Sequence, residues 1–228
     1  MNPVTLVLIP GHTSYSPGGS APMPPFKPGF TEYIQASKLC GSIMDFVKAL
    51  SLPWNIEFID KSDKVPYQAS IKAKKESLVE IGANRDGVKV GIEIHFGTSH
   101  APAKPKVEDV PQDQKGEDGE PKIPISRPGS GIRTMAKTGC VDSELLARKI
   151  HGQIVKVIPL PDRGVGTDQK NELLDACPFP IILIRPLFID GGVDPQFLRF
   201  SRSREFIAGA IIQGISQYLE AKKKETKK

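Results

Sequence analysis

Two histidines and one glutamate in this sequence are of the residue types that bind a metal ion. His12 directly follows an apolar run, Glu32 begins a helical pattern, and His95 ends a second predicted strand. Two imidazoles and a carboxylate suit Zn²⁺, and three protein ligands leave a fourth position for water. A metal in such a site acidifies the water and polarises a carbonyl group, which is the chemistry needed to hydrolyse an amide.

Each of these residues also has an ordinary structural interpretation. A histidine after a strand is commonly a hydrogen-bonded structural residue, and a glutamate at a helix start complements the helix dipole. Spacing alone therefore leaves the metal site a hypothesis. Of the two other histidines, we expect His100 to lie in a solvated loop and His151 to be a surface or packing residue on a helix.

The apolar patterns predict which elements position the three candidate ligands. Residues 4–9 form a nearly continuous apolar run typical of a strand buried on both faces, and residues 88–96 are predicted to form a second strand. Apolar residues at helical spacing predict a helix over 32–50. The remaining predicted elements are a strand at 56–59, a helix within 68–83, a helix over 142–158 capped by Asp142, a strand at 181–184 and a closing helix around 207–218. Strands alternating with helices predict a single α/β domain with a mostly parallel twisted sheet and helices on both faces.

Composition sets the domain organisation. The 228 residues, 39% hydrophobic and 25% charged, suit one domain over residues 1–221. Residues 99–130 are rich in proline, glycine and charge, which predicts an insertion, and residues 222–228 form a basic tail that we expect to be frayed and solvated.

The same composition argues against several classes of protein. The net charge of +5 is modest and the aromatic residues form no stacking platform, so no nucleic-acid partner is expected. No stretch approaches the roughly 18 apolar residues needed for a transmembrane segment. The three cysteines are widely spaced, which argues against a disulfide framework, and we expect all three to be buried.

The order of the motifs resembles the catalytic domain of the zinc-dependent N-acetylmuramoyl-L-alanine amidases. Pro10-Gly11-His12, Thr31-Glu32-Tyr33 and Ile92-Glu93-Ile94-His95 match the motifs that carry the zinc ligands of that family. The resemblance therefore implies that His12, Glu32 and His95 hold Zn²⁺. It continues through residues 130–134, 143–147, 163–165, 180–184 and 210–215, and leaves out the 99–130 segment.

One position departs from the pattern of the family. The late strand of these amidases ends in a glutamate that acts as general base, and Arg185 takes that place here. An arginine stays protonated and cannot accept a proton from water. Glu93 points to the same face of its strand as His95, so we expect Glu93 to pair with Arg185 or to act as the base. The alternative is that Glu93 lies on a polar sheet face without a special role.

The resemblance implies hydrolysis of the amide bond between N-acetylmuramic acid and L-alanine in peptidoglycan. Arg185 would then bind a substrate carboxylate, and Arg163 would lie in a loop near the substrate groove. Arg185 also favours a second interpretation: a catalytically impaired relative with a wall-binding or structural role, for example in a phage particle. A zinc hydrolase that acts on another amide is a third.

Peptidoglycan is the expected partner, and the 99–130 segment or the basic tail is the expected contact for a protein partner. The N-terminus lacks the pattern of a signal peptide. We therefore expect synthesis in the cytoplasm, with access to the cell wall after lysis or on a phage particle.

Overall fold

One sheet and the helices on its two faces make up the fold of this computed structural model. The structure describes residues 3–19, 30–61, 65–84, 86–97, 130–168, 170–190 and 194–225. The strands are β1 (Val4–Pro10), β2 (Trp54–Phe58), β3 (Val88–Ile94), β4 (Ile132–Ala136), β5 (Asp162–Thr167) and β6 (Ile181–Arg185). The helices are α1 (Glu32–Ala49), α2 (Tyr67–Ala83), α3 (Val141–Val157), α4 (Glu172–Ala176), α5 (Asp194–Phe197) and α6 (Ser201–Glu225).

The six strands are arranged in the order β2-β1-β3-β6-β4-β5. All neighbouring strands are parallel except β4 and β6, which are antiparallel. The prediction of a single α/β domain with a mostly parallel sheet is confirmed. In this order β1, β3 and β6 are adjacent, so the ends of the three strands that carry the candidate site residues meet at one edge of the sheet.

Alternation along β1 divides the core into two layers. Leu6 and Leu8 belong to the layer formed with α1, α3 and α6, whereas Val7 and Ile9 belong to the layer formed with α2. All four of these side chains are fully buried. Successive side chains of a strand point to opposite faces, so an unbroken apolar run is what a strand covered on both sides requires. The prediction of helices on both faces is confirmed.

The predicted elements exist, and their ends differ from the predictions by a few residues. Helix α3 begins at Val141, and its N-cap is Cys140, which makes no side-chain capping bond. The prediction that Asp142 caps this helix is therefore wrong: Asp142 lies in the first turn and accepts a hydrogen bond of 2.9 Å from Lys222. Cys40 and Cys177 are buried as expected, but Cys140 is partly exposed at the helix start.

Two strands and one chain end differ from the sequence-based prediction. Strands β4 and β5 were not anticipated. Strand β5 contains two glycines and lies at the sheet edge without a buried residue. Such a segment lacks the apolar alternation of a buried strand. Residues 222–225 of the predicted basic tail continue α6, and the rest of the tail lies outside the described residues.

The predicted insertion also lies outside the described residues, apart from residue 130. Within the described ranges, no helix combines the length and the apolar character required to cross a bilayer.

Candidate metal centre

The structure brings the three predicted metal ligands together. One ligand atom from each of His12, Glu32 and His95 lies within 4.8 Å of the other two. Nε2 of His12 contacts Oε2 of Glu32 directly, and the rings of His12 and His95 meet edge to face with centroids 5.0 Å apart. Residues separated by more than 80 positions in the sequence thus form one cluster.

Three neighbouring element ends create this cluster. His12 lies just after β1, and His95 lies just after the adjacent parallel strand β3. The Gly11 amide donates to the Ile94 carbonyl at 2.7 Å, which ties the two strand ends together. Glu32 is the first residue of α1, where the Thr31 hydroxyl caps the helix by accepting from the Ile34 amide.

Two glycines allow the chain to pass close to the cluster. A Cβ atom on Gly11 would lie 2.6 Å from Nε2 of His95, which leaves no room for a side chain. Gly18 has a φ of +75°, and a Cβ atom there would collide with Glu32 and with the His12 ring. Only glycine fits both positions without displacing a candidate ligand.

The donor set suits zinc. Glu32 is 3% exposed and His95 is 8% exposed, and a buried carboxylate needs a positive partner. Ligand atoms that lie about 2.0–2.2 Å from a shared tetrahedral metal are roughly 3.3 Å from one another. Adjustment of the three side chains would bring their ligand atoms to this spacing. His12, Glu32 and His95 can therefore hold Zn²⁺ with one coordination position left for water or substrate.

Glu93 lies directly behind His95. Its Oε1 atom is 2.8 Å from Nε2 of His95, and its Oε2 atom accepts from Nδ2 of Asn171 at 2.9 Å. Burial by itself raises the pKa of Glu93, but the charge and hydrogen bond of His95 and the bond from Asn171 outweigh it and hold the pKa below its usual range. Glu93 is thus an ionised, buried carboxylate with both oxygens engaged.

The expected ion pair between Glu93 and Arg185 is not formed. In the part of the chain that the structure describes, the ion pair of Glu93 is with His95, and none joins it to Arg185. The strand register explains why. Glu93 lies opposite Leu183, one pair of residues deeper than Arg185, and two nearer partners occupy its oxygens.

Arg185 faces the open side of the cluster. It lines a cleft of about 510 Å³ together with the three candidate ligands, Gly19, Tyr67, Phe96 and Gly97. Burial raises the pKa of Tyr67 to about 12, with Glu93, Glu172 and Glu32 acting in the same direction and Arg185 opposing them. The cleft therefore offers a guanidinium group and a protonated phenol beside the candidate metal centre.

Arg163 lies near the wall of this cleft. It belongs to strand β5 and not to a loop as expected, because β5 pairs with β4 in the sheet. Its guanidinium lies 4.7 Å from the centroid of the Phe188 ring, and its Nε donates to the Ser130 carbonyl. Phe188 packs so closely against the cleft residue Gly97 that a Cβ atom there would lie 2.8 Å from the ring.

Three residues at the site were not anticipated from the sequence. Lys74 on α2 is 1% exposed and donates to backbone carbonyls at the end of β1. Asn171 both holds Glu93 and caps α4 through its side-chain oxygen. Tyr67 begins α2 with its ring 5.6 Å from that of His12. No motif marks these residues, and only the packing of α2 and α4 against the sheet brings them to the site.

The other histidine in the described residues is a packing residue, as expected. His151 is 6% exposed, with Nδ1 3.0 Å from the Thr134 hydroxyl and Nε2 2.7 Å from Asp162. It joins α3 to β4 and β5, away from the cleft. His100 lies outside the described residues.

Comparisons with known proteins identify the family and the fold. The family model described as N-acetylmuramoyl-L-alanine amidase matches residues 6–217. A search of curated protein sequences gives no match. The fold is similar to that of an N-acetylmuramoyl-L-alanine amidase from Clostridium difficile 630, with 19% identity, a TM-score of 0.69 and coverage of 97% of this chain and 100% of that one.

Two further solved structures share the fold. The CwlD amidase from Clostridioides difficile, solved in complex with the GerS lipoprotein, is 19% identical with a TM-score of 0.70, over 95% of this chain and 98% of that one. The catalytic domain of the CD27L endolysin, which targets the same bacterium, is 15% identical with a TM-score of 0.64, over 95% and 98%. Since the family model spans nearly the whole sheet and the helices that carry the cluster, this chain belongs to the N-acetylmuramoyl-L-alanine amidase family.

Proposed function

We propose that this protein is a zinc-dependent amidase that cleaves the bond between N-acetylmuramic acid and L-alanine in peptidoglycan. The observation that carries the proposal is the cluster of His12, Glu32 and His95, which lines a cleft, in a chain of the amidase family. A bound zinc ion would polarise the scissile carbonyl and acidify a water molecule. The remaining chemistry falls to the residues around the cluster.

Glu93 is the candidate general base. It is ionised, and its carboxylate lies 2.8 Å from a ring nitrogen of His95. To act as the base it would turn from His95 to the attacking water and accept a proton. As the water oxygen bonds to the carbonyl carbon and the C–N bond breaks, the same proton would pass to the leaving nitrogen.

Glu93 has an alternative role in the same enzyme. Histidines that bind metals commonly donate their other ring N–H to a carboxylate, which fixes the ring orientation. With Nε2 of His95 bonded to Glu93, Nδ1 is the nitrogen left for the metal. In that arrangement Glu93 orients His95 and does not move a proton of the reaction.

Arg185 is the candidate substrate-binding residue. Its guanidinium lines the cleft at the sheet position next to His95, and the planar fork of an arginine suits a carboxylate. Arg163, held against the Phe188 ring, extends the positive charge beyond the wall of the cleft.

The position of Arg185 also supports a second candidate function. A fixed positive charge at the mouth of a metal site weakens metal binding and gives no base. A non-catalytic relative that binds the cell wall, for instance as part of a phage particle, would keep the cleft and lose turnover. The ligand cluster favours the enzyme, because such a relative would not need all three ligands.

The first experiment measures zinc content and the release of stem peptides from purified peptidoglycan with one preparation of each variant. Wild type, His95→Ala and Arg185→Glu are compared. We expect one zinc per wild-type chain and amidase activity, both lost in His95→Ala. Zinc without turnover in wild type, with activity in Arg185→Glu, would establish the non-catalytic relative. A wild type that binds no zinc would refute the proposed metal site.

A second variant separates the two roles of Glu93. Glu93→Gln keeps the size of the side chain and removes its charge. If Glu93 is the base, kcat falls by about 10²–10⁴-fold while zinc affinity changes little. If Glu93 orients His95, zinc affinity falls by about 10–100-fold, and turnover at saturating zinc is largely retained.

Partners and location follow as proposals. One solved amidase of the same fold binds a lipoprotein. We propose that a protein partner of this chain would contact the 99–130 segment or the basic end of α6. Lys222, Lys223 and Lys224 lie in the last turns of that helix. We also propose that the protein acts on the wall after lysis or from a phage particle.

A further inference from the structure

A buried lysine lies beneath the candidate metal centre. Lys74 on α2 is 1% exposed, although the charged end of a lysine is almost never buried without partners. Its Nζ donates to the Pro10 carbonyl at 2.7 Å and to the His12 carbonyl at 3.3 Å. Both acceptors are backbone groups of the segment that delivers His12 to the cluster.

The backbone of this segment needs external support. His12 has a φ of +63°, in the left-handed region that residues other than glycine seldom occupy. The following turn is held by the Ser16 amide, which donates to the Thr13 hydroxyl, and by the Thr13 amide, which donates to the Ser16 carbonyl. Those bonds fix the chain after His12, whereas the ammonium group of Lys74 bonds to His12 itself.

We infer that Lys74 is a positioning residue for zinc binding: its ammonium group locks the backbone from Pro10 to His12 so that the His12 imidazole faces Glu32 and His95. The inference rests on the proposed function in that the bound ion is zinc. Both acceptors are main-chain carbonyls, so Lys74 sets the direction of the imidazole without contacting the metal. The site is formed by three separate element ends. If the turn that carries His12 were unsupported, its imidazole would not be held in place before the metal binds, and the affinity for zinc would fall.

The matched test compares Lys74→Met with Lys72→Met. Both variants replace a lysine of α2 by a side chain of similar length, but Lys72 is exposed. Zinc affinity is measured by competition with a chromophoric chelator, and hydrogen exchange of the peptide spanning residues 10–19 is measured without metal. We expect Lys74→Met to bind zinc about 10–100-fold more weakly and to exchange faster in residues 10–19, and Lys72→Met to match wild type in both.

A purely structural role of Lys74 would give a different result. Lys74→Met would then have a lower melting temperature, while its folded fraction bound zinc as tightly as wild type, and that outcome would overturn the inference. If Lys74→Met does not fold, Lys74→Gln is used in its place, because the shorter amide retains N–H donors. We expect Lys74→Gln to bind zinc more weakly than wild type but without complete loss of binding. A Lys74→Gln variant that exchanges faster in residues 10–19 but binds zinc as tightly as wild type would also overturn the inference.

The two readouts distinguish this inference from the proposed function. If wild type binds no zinc but Lys74→Met still loosens residues 10–19, the metal proposal fails and the positioning of His12 by Lys74 stands. If wild type binds zinc and Lys74→Met binds it equally well, the proposed function stands and the role of Lys74 is refuted.

Discussion

At the scale of single residues, the candidate metal centre depends on groups that surround the ligands as much as on the ligands. Both oxygens of Glu93 are engaged by His95 and Asn171, which keeps a buried carboxylate ionised at one edge of the cluster. Arg185 lines the cleft and makes no ion pair with Glu93. The arginine is therefore available to a ligand and is not consumed in an internal ion pair with Glu93.

Replacement of Gly18 tests how closely the chain encloses the ligands. In Gly18→Ala the new Cβ atom would collide with Glu32 and would lie 2.7 Å from Cδ2 of His12. We expect zinc affinity to fall by tenfold or more, which corresponds to about 1.4 kcal/mol. Chelator competition measures the change.

Gly139→Ala is the control for Gly18→Ala. Gly139 has a similar φ of +71°, but nothing lies within 4 Å of its Cβ position. The variant carries the same left-handed backbone penalty, about 1–2 kcal/mol, without reaching the cluster. Equal losses of zinc affinity in the two variants would show that backbone strain, and not contact with the ligands, is responsible.

At the scale of elements, α6 packs against α3 through a glycine. A Cβ atom on Gly214 would lie 2.5 Å from Cα of Ile150, so the helices approach each other with backbone in contact. A second glycine, Gly152, lies in α3, and nothing lies within 4 Å of its Cβ position. Gly214 has no room for a Cβ atom, whereas Gly152 has open space. Replacement by alanine should therefore change the stability of the protein in opposite directions at the two positions.

We expect Gly214→Ala to lower the free energy of unfolding by about 1–3 kcal/mol through overpacking. Gly152→Ala should raise it by up to about 1 kcal/mol, because alanine favours the helix over glycine. Urea titration of both variants measures the difference. A stable Gly214→Ala protein would mean that α6 can shift away from α3 without loss.

A second contact between elements should depend on pH. Two hydrogen bonds lower the pKa of the half-exposed Asp162 carboxyl below its ordinary value of about 4. The bond from His151 has the larger effect, and the bond from the Gly164 amide has the smaller one. A carboxyl whose pKa is lower in the folded state adds stability above its unfolded pKa, and that stability is lost as the pH falls through the folded pKa. This part of the stability should therefore be complete at neutral pH and disappear below about pH 4.

Asp162→Asn should remove that contribution. We expect the variant to be less stable than wild type at pH 7 and to approach wild type as the pH falls toward 2, in urea titrations at a series of pH values. Asp45→Asn, at an exposed position of α1, is the control and should follow wild type throughout. A constant difference between Asp162→Asn and wild type would show that the lost interaction is not one of charge.

At the scale of the whole molecule, the candidate metal centre links elements that are distant in sequence. The candidate ligands come from the end of β1, the start of α1 and the end of β3. A ligand that binds only the folded state stabilises the whole domain. Zinc binding should therefore appear in the global unfolding transition.

We expect zinc at 100 times its Kd to stabilise the protein by about 2.7 kcal/mol, which is a rise in Tm of roughly 5–11 °C for a chain of this size. Differential scanning calorimetry with and without a chelator measures it. His95→Ala should show no rise, and Mg²⁺ should not replace zinc, because it prefers oxygen ligands. A rise retained in His95→Ala would place the stabilising metal elsewhere.

The sequence by itself determined the elements that carry the site. Apolar runs identify β1 and β6, apolar residues at alternate positions identify β3, and helical spacing identifies α1 and α3, because burial on one or both faces requires those patterns. Residue type and position after a strand or at a helix start made His12, Glu32 and His95 candidate ligands. The motif order connected them to one family.

Only the tertiary structure decided what surrounds those ligands. Glu93 bonds to His95 and Asn171 and not to Arg185, because strand register and the position of α4 set the distances. Lys74 lies beneath His12 because α2 packs across the end of β1, although 62 positions separate the two in the chain. Strand β5 has no buried alternating pattern and exists because β4 pairs with it. Contacts between separate elements depend on how the helices and strands pack, which local periodicity does not encode.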